Sequence, residues 1–186
     1  MVRGITVHRK SPSEETGLRE YDSPLHLCIL SAHLGSHMPI AIEDPNLGRF
    51  EWDQDRWTGS FSLLSGRVVQ FYIVPATNSH IENPGASGVF IAAYPVAAWL
   101  RESESAIYLA VSRKMVELYN GTWSEEPPIT AEELAGRIEL VEVSVPSTGE
   151  YINLWFIDGE MDMFGGHAID VYFGGDYKLR SANLAG

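Results

Sequence analysis

The order of hydrophobic and polar positions divides the chain into a strand region, a helical region and a second strand region. The stretch "RFEWDQDRWTGSFSLLSGRVVQFYIVP", which begins at Arg49, is typical of a meander of short strands with a hairpin turn at Ser65-Gly66. Both alternating faces of residues 68–74 are largely apolar. That pattern predicts a strand in the middle of a sheet.

The character changes to helix after a loop at residues 80–88. Residues 89–101 are apolar on most sides and predict one helix, which Pro95 begins or kinks. A second helix is predicted over residues 105–119, and Asn120-Gly121 predicts a left-handed stop after it. Farther on, "TAEELAGR" carries the spacing of a capping box and predicts a short third helix.

Three further strands are predicted over residues 137–145, 151–158 and 167–173. In the first of them the alternation slips between Leu140 and Val141, which a β-bulge explains. Strands, then helices, then strands with short connections indicate an α+β fold, in which helices pack on one face of a mostly antiparallel sheet. Residues 1–24 are polar and are predicted to form a mobile arm, with a single domain over residues 25–186.

The predicted core takes the apolar positions that share a face within each element. Those positions are Val69, Phe71, Ile73, Trp99, Leu100, Ile107, Val111, Leu118, Val141, Val143, Leu154, Phe156, Ile169 and Val171.

Charge narrows the class of partner. The net charge is −12, and residues 121–170 hold eleven acidic residues against one base, Arg137. Phosphate contacts need clustered Lys and Arg, so nucleic acid is a poor partner. A basic protein surface is a better one, because complementary charge speeds encounter. Acids that serve only solubility are the alternative.

The cellular compartment is predicted from the single cysteine and from the absence of apolar targeting or membrane segments in the sequence. Cys28 is the only cysteine, so no internal disulfide forms and the chain suits a reducing compartment. The first 20 residues have no apolar segment of the kind a signal peptide needs, and no stretch approaches the length of a membrane helix. A cytoplasmic protein without a membrane partner is expected.

The stretch "DMFGGHAIDVYFGGD", residues 162–176, is the clearest candidate for chemistry. On a strand, His167 would share a face with Ile169, Val171 and Phe173, which favours a structural, semi-buried imidazole. Paired glycines at each end predict unusual backbone angles there. A catalytic His167 would need a carboxylate to orient it, and the local candidates are Asp158, Glu160 and Asp162.

The other motifs of the sequence are weaker evidence for a metal site or a catalytic site. The acids from Asp158 to Asp162 resemble the start of a calcium loop, but Met163 and Ile169 stand where that loop needs Gly and Glu. His33 and His37 lack a third ligand at a diagnostic spacing. Signatures of serine nucleophiles and of phosphate loops are absent from the sequence. No catalytic residue, metal ligand or cofactor is therefore assigned.

A family resemblance rests on four segments of the chain. The segment "DGEMDMFGGHAIDVYF", the preceding "LYNGTWSEEPPITAEELAGRIELVEVSV" and the closing "KLRSANLAG" resemble a prokaryotic family of unknown function. Its members end in a D-G-x-x-F-x-G-H-x-I-x-V strand. The earlier "LGRFEWDQDRWTGSFSLLSGRVVQFYIV" is similar to the opening meander of the family, so the resemblance covers about residues 46–186. The chain departs from the strand motif by the extra "EM", and from the family's A-x-I-A-G close by Leu184, where Ile is usual. It implies a fold and no established activity. Some small acidic bacterial domains are immunity proteins, which gives an analogy only.

The sequence therefore favours a non-enzymatic, acidic protein-binding module. The alternative is a metal-assisted hydrolase that uses His167 with Asp158, Glu160 or Asp162. A homodimer is as well supported as a monomer, because the apolar segment from residue 89 to 100 could leave an exposed patch.

Overall fold

One eight-stranded sheet organises the part of the chain that the computed structural model describes, residues 40–78, 88–123, 127–159 and 163–186. Its strands lie side by side in chain order. They are β1 (Ala41–Asp44), β2 (Gly48–Asp53), β3 (Arg56–Ser62), β4 (Val68–Val74), β5 (Ile138–Pro146), β6 (Tyr151–Asp158), β7 (Ala168–Gly174) and β8 (Leu179–Ala185).

Seven neighbouring pairs make up this sheet, and six of them are antiparallel. The exception is β4 with β5, which run parallel from Gln70 beside Glu142 to Val74 beside Pro146. A parallel pair needs a long crossover, and the helical region supplies it. The α+β fold with a mostly antiparallel sheet and the central place of residues 68–74 are confirmed.

The crossover contains one long helix, α1 (Ala93–Leu118), where the sequence predicted two. The polar segment between the predicted helices contains no Gly or Pro, so nothing interrupts the hydrogen-bond ladder there. Pro95 lies in the first turn, where backbone N–H groups have no partner within a helix in any case. It therefore begins the helix without kinking it.

The end of α1 also differs from the prediction. The chain continues through a π-helical turn, Tyr119–Trp123, and Gly121 does not take a left-handed conformation. The Asn120 side chain instead donates to the carbonyl of Ile129 (2.9 Å) and accepts from its N–H (3.0 Å). This side chain ties the turn to the segment that leads into the next helix.

The short helix α2 (Ala131–Ala135) has the predicted capping box. The Thr130 hydroxyl accepts from the N–H of Glu133, and the Glu133 carboxylate accepts from the N–H of Thr130. The hydrogen bond from the Thr130 N–H lowers the pKa of Glu133, and the Thr130 side chain lowers it further. The predicted bulge in β5 is confirmed as well, since the register with β6 shifts between Leu140 and Glu142.

The core lies between α1 and the sheet face that α1 covers. Eleven of the fourteen predicted core residues are buried, and three predictions were wrong. Leu118 is 39% exposed, because Tyr119 in the π-helical turn takes the inward position and packs against Phe164. Val141 is half-buried at the bulge, and Trp99 is half-buried at the edge of the core.

Several predictions fall on residues outside the described part of the chain. They concern the mobile arm, Cys28, His33 and His37. Within the described residues, no helix has the length and apolar character to cross a membrane.

Candidate functional site

The turn before β7 places His167 at the end of the core. The His167 N–H donates to the carbonyl of Phe164 (3.1 Å), and the imidazole lies edge-on to Trp123 with ring centroids 5.6 Å apart. The other side of the ring lies close to Gly186, where an added Cβ would come within 2.7 Å of Nδ1. The imidazole is half-buried and makes no side-chain hydrogen bond to another described residue.

The glycine pairs at the two ends of β7 behave differently. Gly165 and Gly166 both have positive φ, at 60° and 83°, as predicted. Gly174 and Gly175 do not, and Tyr177 supplies the positive φ in that turn. Gly175 is needed for space instead, because a Cβ there would lie 2.5 Å from the carbonyl of Gly149.

Asp158 points into the core at the end of β6 and is 2% exposed. Its Oδ2 accepts from the backbone N–H of Phe164 at 3.1 Å. This bond pins the same turn that carries His167. The carboxylate thus has a structural partner, and no described contact joins it to the imidazole.

The other two candidate acids, Glu160 and Asp162, lie outside the described residues. In the portions of the chain that are described, His, Cys, Asp and Glu side chains form no group of three that could hold a metal ion.

A second candidate site lies on the sheet face opposite α1, which we call the open face. Two rows of side chains cross it from β3 to β8. One row is Ser60, Gln70, Glu142, Trp155, Asp170 and Asn183; the other is Thr58, Tyr72, Ser144, Asn153, Tyr172 and Ser181. None of these residues belongs to the buried core.

The centre of the open face is an indole between two carboxylates. Glu142 and Asp170 are the cross-strand partners of Trp155 on either side. Adjacent strands are about 4.8 Å apart, so the two acidic positions are separated by roughly 10 Å with the indole between them. Asn153 fixes one of them by donating to Asp170 Oδ1 at 2.5 Å. We call Glu142, Trp155 and Asp170 the acid–indole row.

Aromatic rings beside this row already accept a cation. The guanidinium of Arg56 lies over the Tyr72 ring, 4.0 Å from its centroid. Burial and the nearby Glu142 raise the pKa of Tyr72. Tyr72 thus makes a cation–π interaction with Arg56 close to the carboxylate of Glu142.

Two tyrosines of β6 and β7 contact each other on the open face, with their rings tilted by 50°. The rings of Tyr151 and Tyr172 are 6.1 Å apart, and the side chains are 41% and 39% exposed. The carboxylate of Asp170 raises the pKa of Tyr172, with burial as a second cause.

The acids of this row lie on strands without basic residues, and the Arg56 guanidinium on the Tyr72 ring lies beside them. Strands β5, β6 and β7 contain no Lys or Arg. The ion pairs among the described residues join Arg49 to Glu43 and Glu51, and Asp176 to Lys178 and Arg180. Neither Glu142 nor Asp170 takes part in these ion pairs.

Sequence reasoning missed this row although its members alternate visibly within their strands. The missing information was the register of three strands, which brings Glu142, Trp155 and Asp170 side by side.

Comparison with known proteins gives the family. No curated protein and no solved structure is significantly similar to the chain. A family model described as an uncharacterised protein conserved in bacteria, DUF2262, matches residues 44–184, which include all of the described sheet except residues 41–43 and Ala185. The chain therefore belongs to this uncharacterised bacterial family, DUF2262.

Proposed function

We propose that the chain is a protein-binding module whose open face recognises a basic protein surface. The observation that carries the proposal is the acid–indole row, Glu142, Trp155 and Asp170, in strands that contain no Lys or Arg. Tyr and Trp are enriched in protein interfaces, where they supply large contact areas at low entropic cost.

The chemistry of the row suits a guanidinium or ammonium group. A cation placed over the indole gains a cation–π interaction, and carboxylates on both sides add charge-assisted hydrogen bonds. Arg56 on Tyr72 supports this, since the face holds one guanidinium of its own in that manner. The partner is therefore expected to present Arg or Lys side chains from a flat or convex surface.

The same charges argue against pairing of two copies through this face. A two-fold interface would place acids opposite acids, which costs binding energy. The apolar segment proposed above as a dimer patch, residues 89–100, is buried at six of its twelve positions; its exposed large hydrophobic residues are Ile91 and Tyr94, at 69% and 37%. A homodimer stays a prediction that light scattering would test.

A hydrolase is less well supported than binding. Asp158 already accepts a backbone hydrogen bond within the core, and the His167 ring packs on Trp123. An immunity-like role, in which the acidic face covers a basic toxin surface, is one form of the binding proposal.

The test uses a short Arg-rich peptide and a copy in which citrulline replaces every Arg. We expect the full chain to bind the Arg peptide, with an affinity that falls as salt is added, and to ignore the citrulline copy. Fluorescence anisotropy of labelled peptide would measure both affinities.

Matched variants separate a local site from overall charge. Glu142→Gln with Asp170→Asn removes two charges from the open face, while Glu117→Gln with Glu150→Gln removes two exposed charges elsewhere. The first pair should weaken binding by about tenfold or more and the second by far less. Equal losses from both pairs would mean that net charge alone attracts the peptide, and would overturn the proposal.

A further inference from the structure

A cleft of about 830 Å³ lies on the other side of the molecule from the open face. Its walls are the middle of α1, the β3–β4 hairpin and the end of α2. Volumes of this size are typical of sites for small organic ligands.

One residue that lines this cleft, Tyr108, is bonded to the backbone of β5. Strands β4 and β5 pair only from Gln70 and Glu142 onward, so the earlier part of β5 has no β4 partner. The N–H of Leu140 is instead bonded to the Tyr108 hydroxyl at 2.9 Å. A side chain from α1 thus fills the place that a neighbouring strand would otherwise occupy.

The hydroxyl of Tyr108 has a hydrogen left to donate. Tyr108 is 6% exposed, and its oxygen accepts from both Leu140 N–H and Arg67 Nη1, each at 2.9 Å. A phenol oxygen has two acceptor sites and one O–H donor. Both acceptor sites are occupied, and no described residue accepts from the O–H. Tyr108 is among the residues that line the cleft.

Two arginines line the same cleft with most of their donors unused. Arg67 is anchored through Nη1 to Tyr108, and Arg101 through Nε to the carbonyl of Ser62 at 3.3 Å. Neither forms an ion pair within 4.0 Å with a described carboxylate. The carboxylate of Glu104, which also lines the cleft, accepts from the Ser65 hydroxyl at 2.6 Å.

We propose that this cleft binds the carboxylate group of a small organic ligand through Arg67, Arg101 and the Tyr108 hydroxyl. Arginine matches a carboxylate with two parallel N–H donors, and the phenol adds a third. A phosphate is disfavoured, because Glu102 and Glu104 lie at the same cleft and repel a doubly charged group more strongly than a singly charged one. This site is independent of the open face, so either proposal can fail without the other.

The test is an NMR titration of the full chain with benzoate as the carboxylate probe and benzamide as its uncharged analogue. Benzoate should produce saturable shifts, with the Leu140 amide among the signals that move, because that amide is bonded to the Tyr108 hydroxyl. Inorganic phosphate should bind more weakly than benzoate, and benzamide should not bind. Equal binding of benzoate and benzamide, or no saturable shift, would overturn the proposal.

Variants locate the site. Arg101→Gln leaves the Tyr108 network in place and should weaken benzoate binding by about tenfold, as the loss of one charge-assisted bond gives. Tyr108→Phe removes the donor, although it also leaves the Leu140 N–H without an acceptor. Arg113→Gln, at an exposed position of α1 outside the cleft, is the control and should leave binding unchanged. An Arg101→Gln affinity equal to that of Arg113→Gln would contradict the assignment.

Discussion

The two faces of one sheet differ in what their side chains do. In β6, Ile152, Leu154 and Phe156 point toward α1 and are at most 1% exposed. Their neighbours Asn153 and Trp155 point the other way, and they lie outside the core cluster. Successive residues of a strand face opposite sides, so stability and surface chemistry are separated by one position along the chain.

Because of this separation, we expect substitutions on the open face to leave the fold intact. The covered face supplies buried apolar area, which is the main favourable term in folding. The open face contributes less burial and concentrates aromatic rings and unpaired acids. Substitutions on the two faces should therefore have opposite consequences for stability and for binding.

The largest expected effect comes from a neighbouring pair of aromatics in β6. Phe156→Ala should lower the free energy of unfolding by about 3–5 kcal/mol, because the ring is fully buried and packs edge-on against Tyr108. Trp155→Ala should cost far less stability, yet weaken binding of the Arg-rich peptide. Denaturant melts compare the two variants. If Phe156→Ala and Trp155→Ala lost similar amounts of stability, the two faces would not differ in their contribution to folding.

A smaller effect is expected at the turn that joins β6 to β7. Asp158→Ala should lower stability by about 1–3 kcal/mol, since it leaves the buried Phe164 N–H without its acceptor. His167→Ala should cost about 1 kcal/mol through the lost contact with Trp123. Glu139→Gln, an exposed acid of β5, is the control for Asp158. Unchanged melting of both variants would favour a catalytic role for these residues.

The smallest expected effect is a change in the pKa of Tyr172 on the open face. Asp170 raises the pKa of Tyr172 above its ordinary value of 10.0, so Asp170→Asn should lower that pKa. The neutral phenol is favoured in the folded chain, so the contribution of Tyr172 to stability is present below pH 10 and is lost as pH rises through the folded pKa. Ultraviolet titration of the wild type, the variant and Tyr172→Phe isolates the signal. If Tyr172 titrated identically in the wild type and in Asp170→Asn, Asp170 would not be the cause of the raised pKa.

The sequence predicted the strands more reliably than the ends and the continuity of the helices. Alternation predicted β6 to the residue, and the slip between Leu140 and Val141 predicted the bulge, because both depend on neighbours along the chain. The continuity of α1 and the π-helical turn after it were missed. Asn120 replaces the expected left-handed stop by bonding to Ile129, and propensity gives no sign of that contact.

The candidate sites show the same limit. Asp158 and His167 are close in sequence and were considered together, but the fold turns Asp158 inward to Phe164 and sets His167 beside Trp123. The acid–indole row and the cleft at Tyr108 assemble residues from three or more distant segments. Strand register and helix packing bring them together, and neither is encoded in a local pattern.

Mapping the Arg-rich peptide onto the full chain by NMR tests the central claim most directly. We expect the indole N–H of Trp155 and the amides of β5, β6 and β7 to shift with one common affinity, while the signals of the exposed residues of α1 stay in place. The citrulline peptide should leave all of these signals in place. Shifts that cluster on α1, or that spread evenly over every acidic surface, would contradict a binding site on the open face.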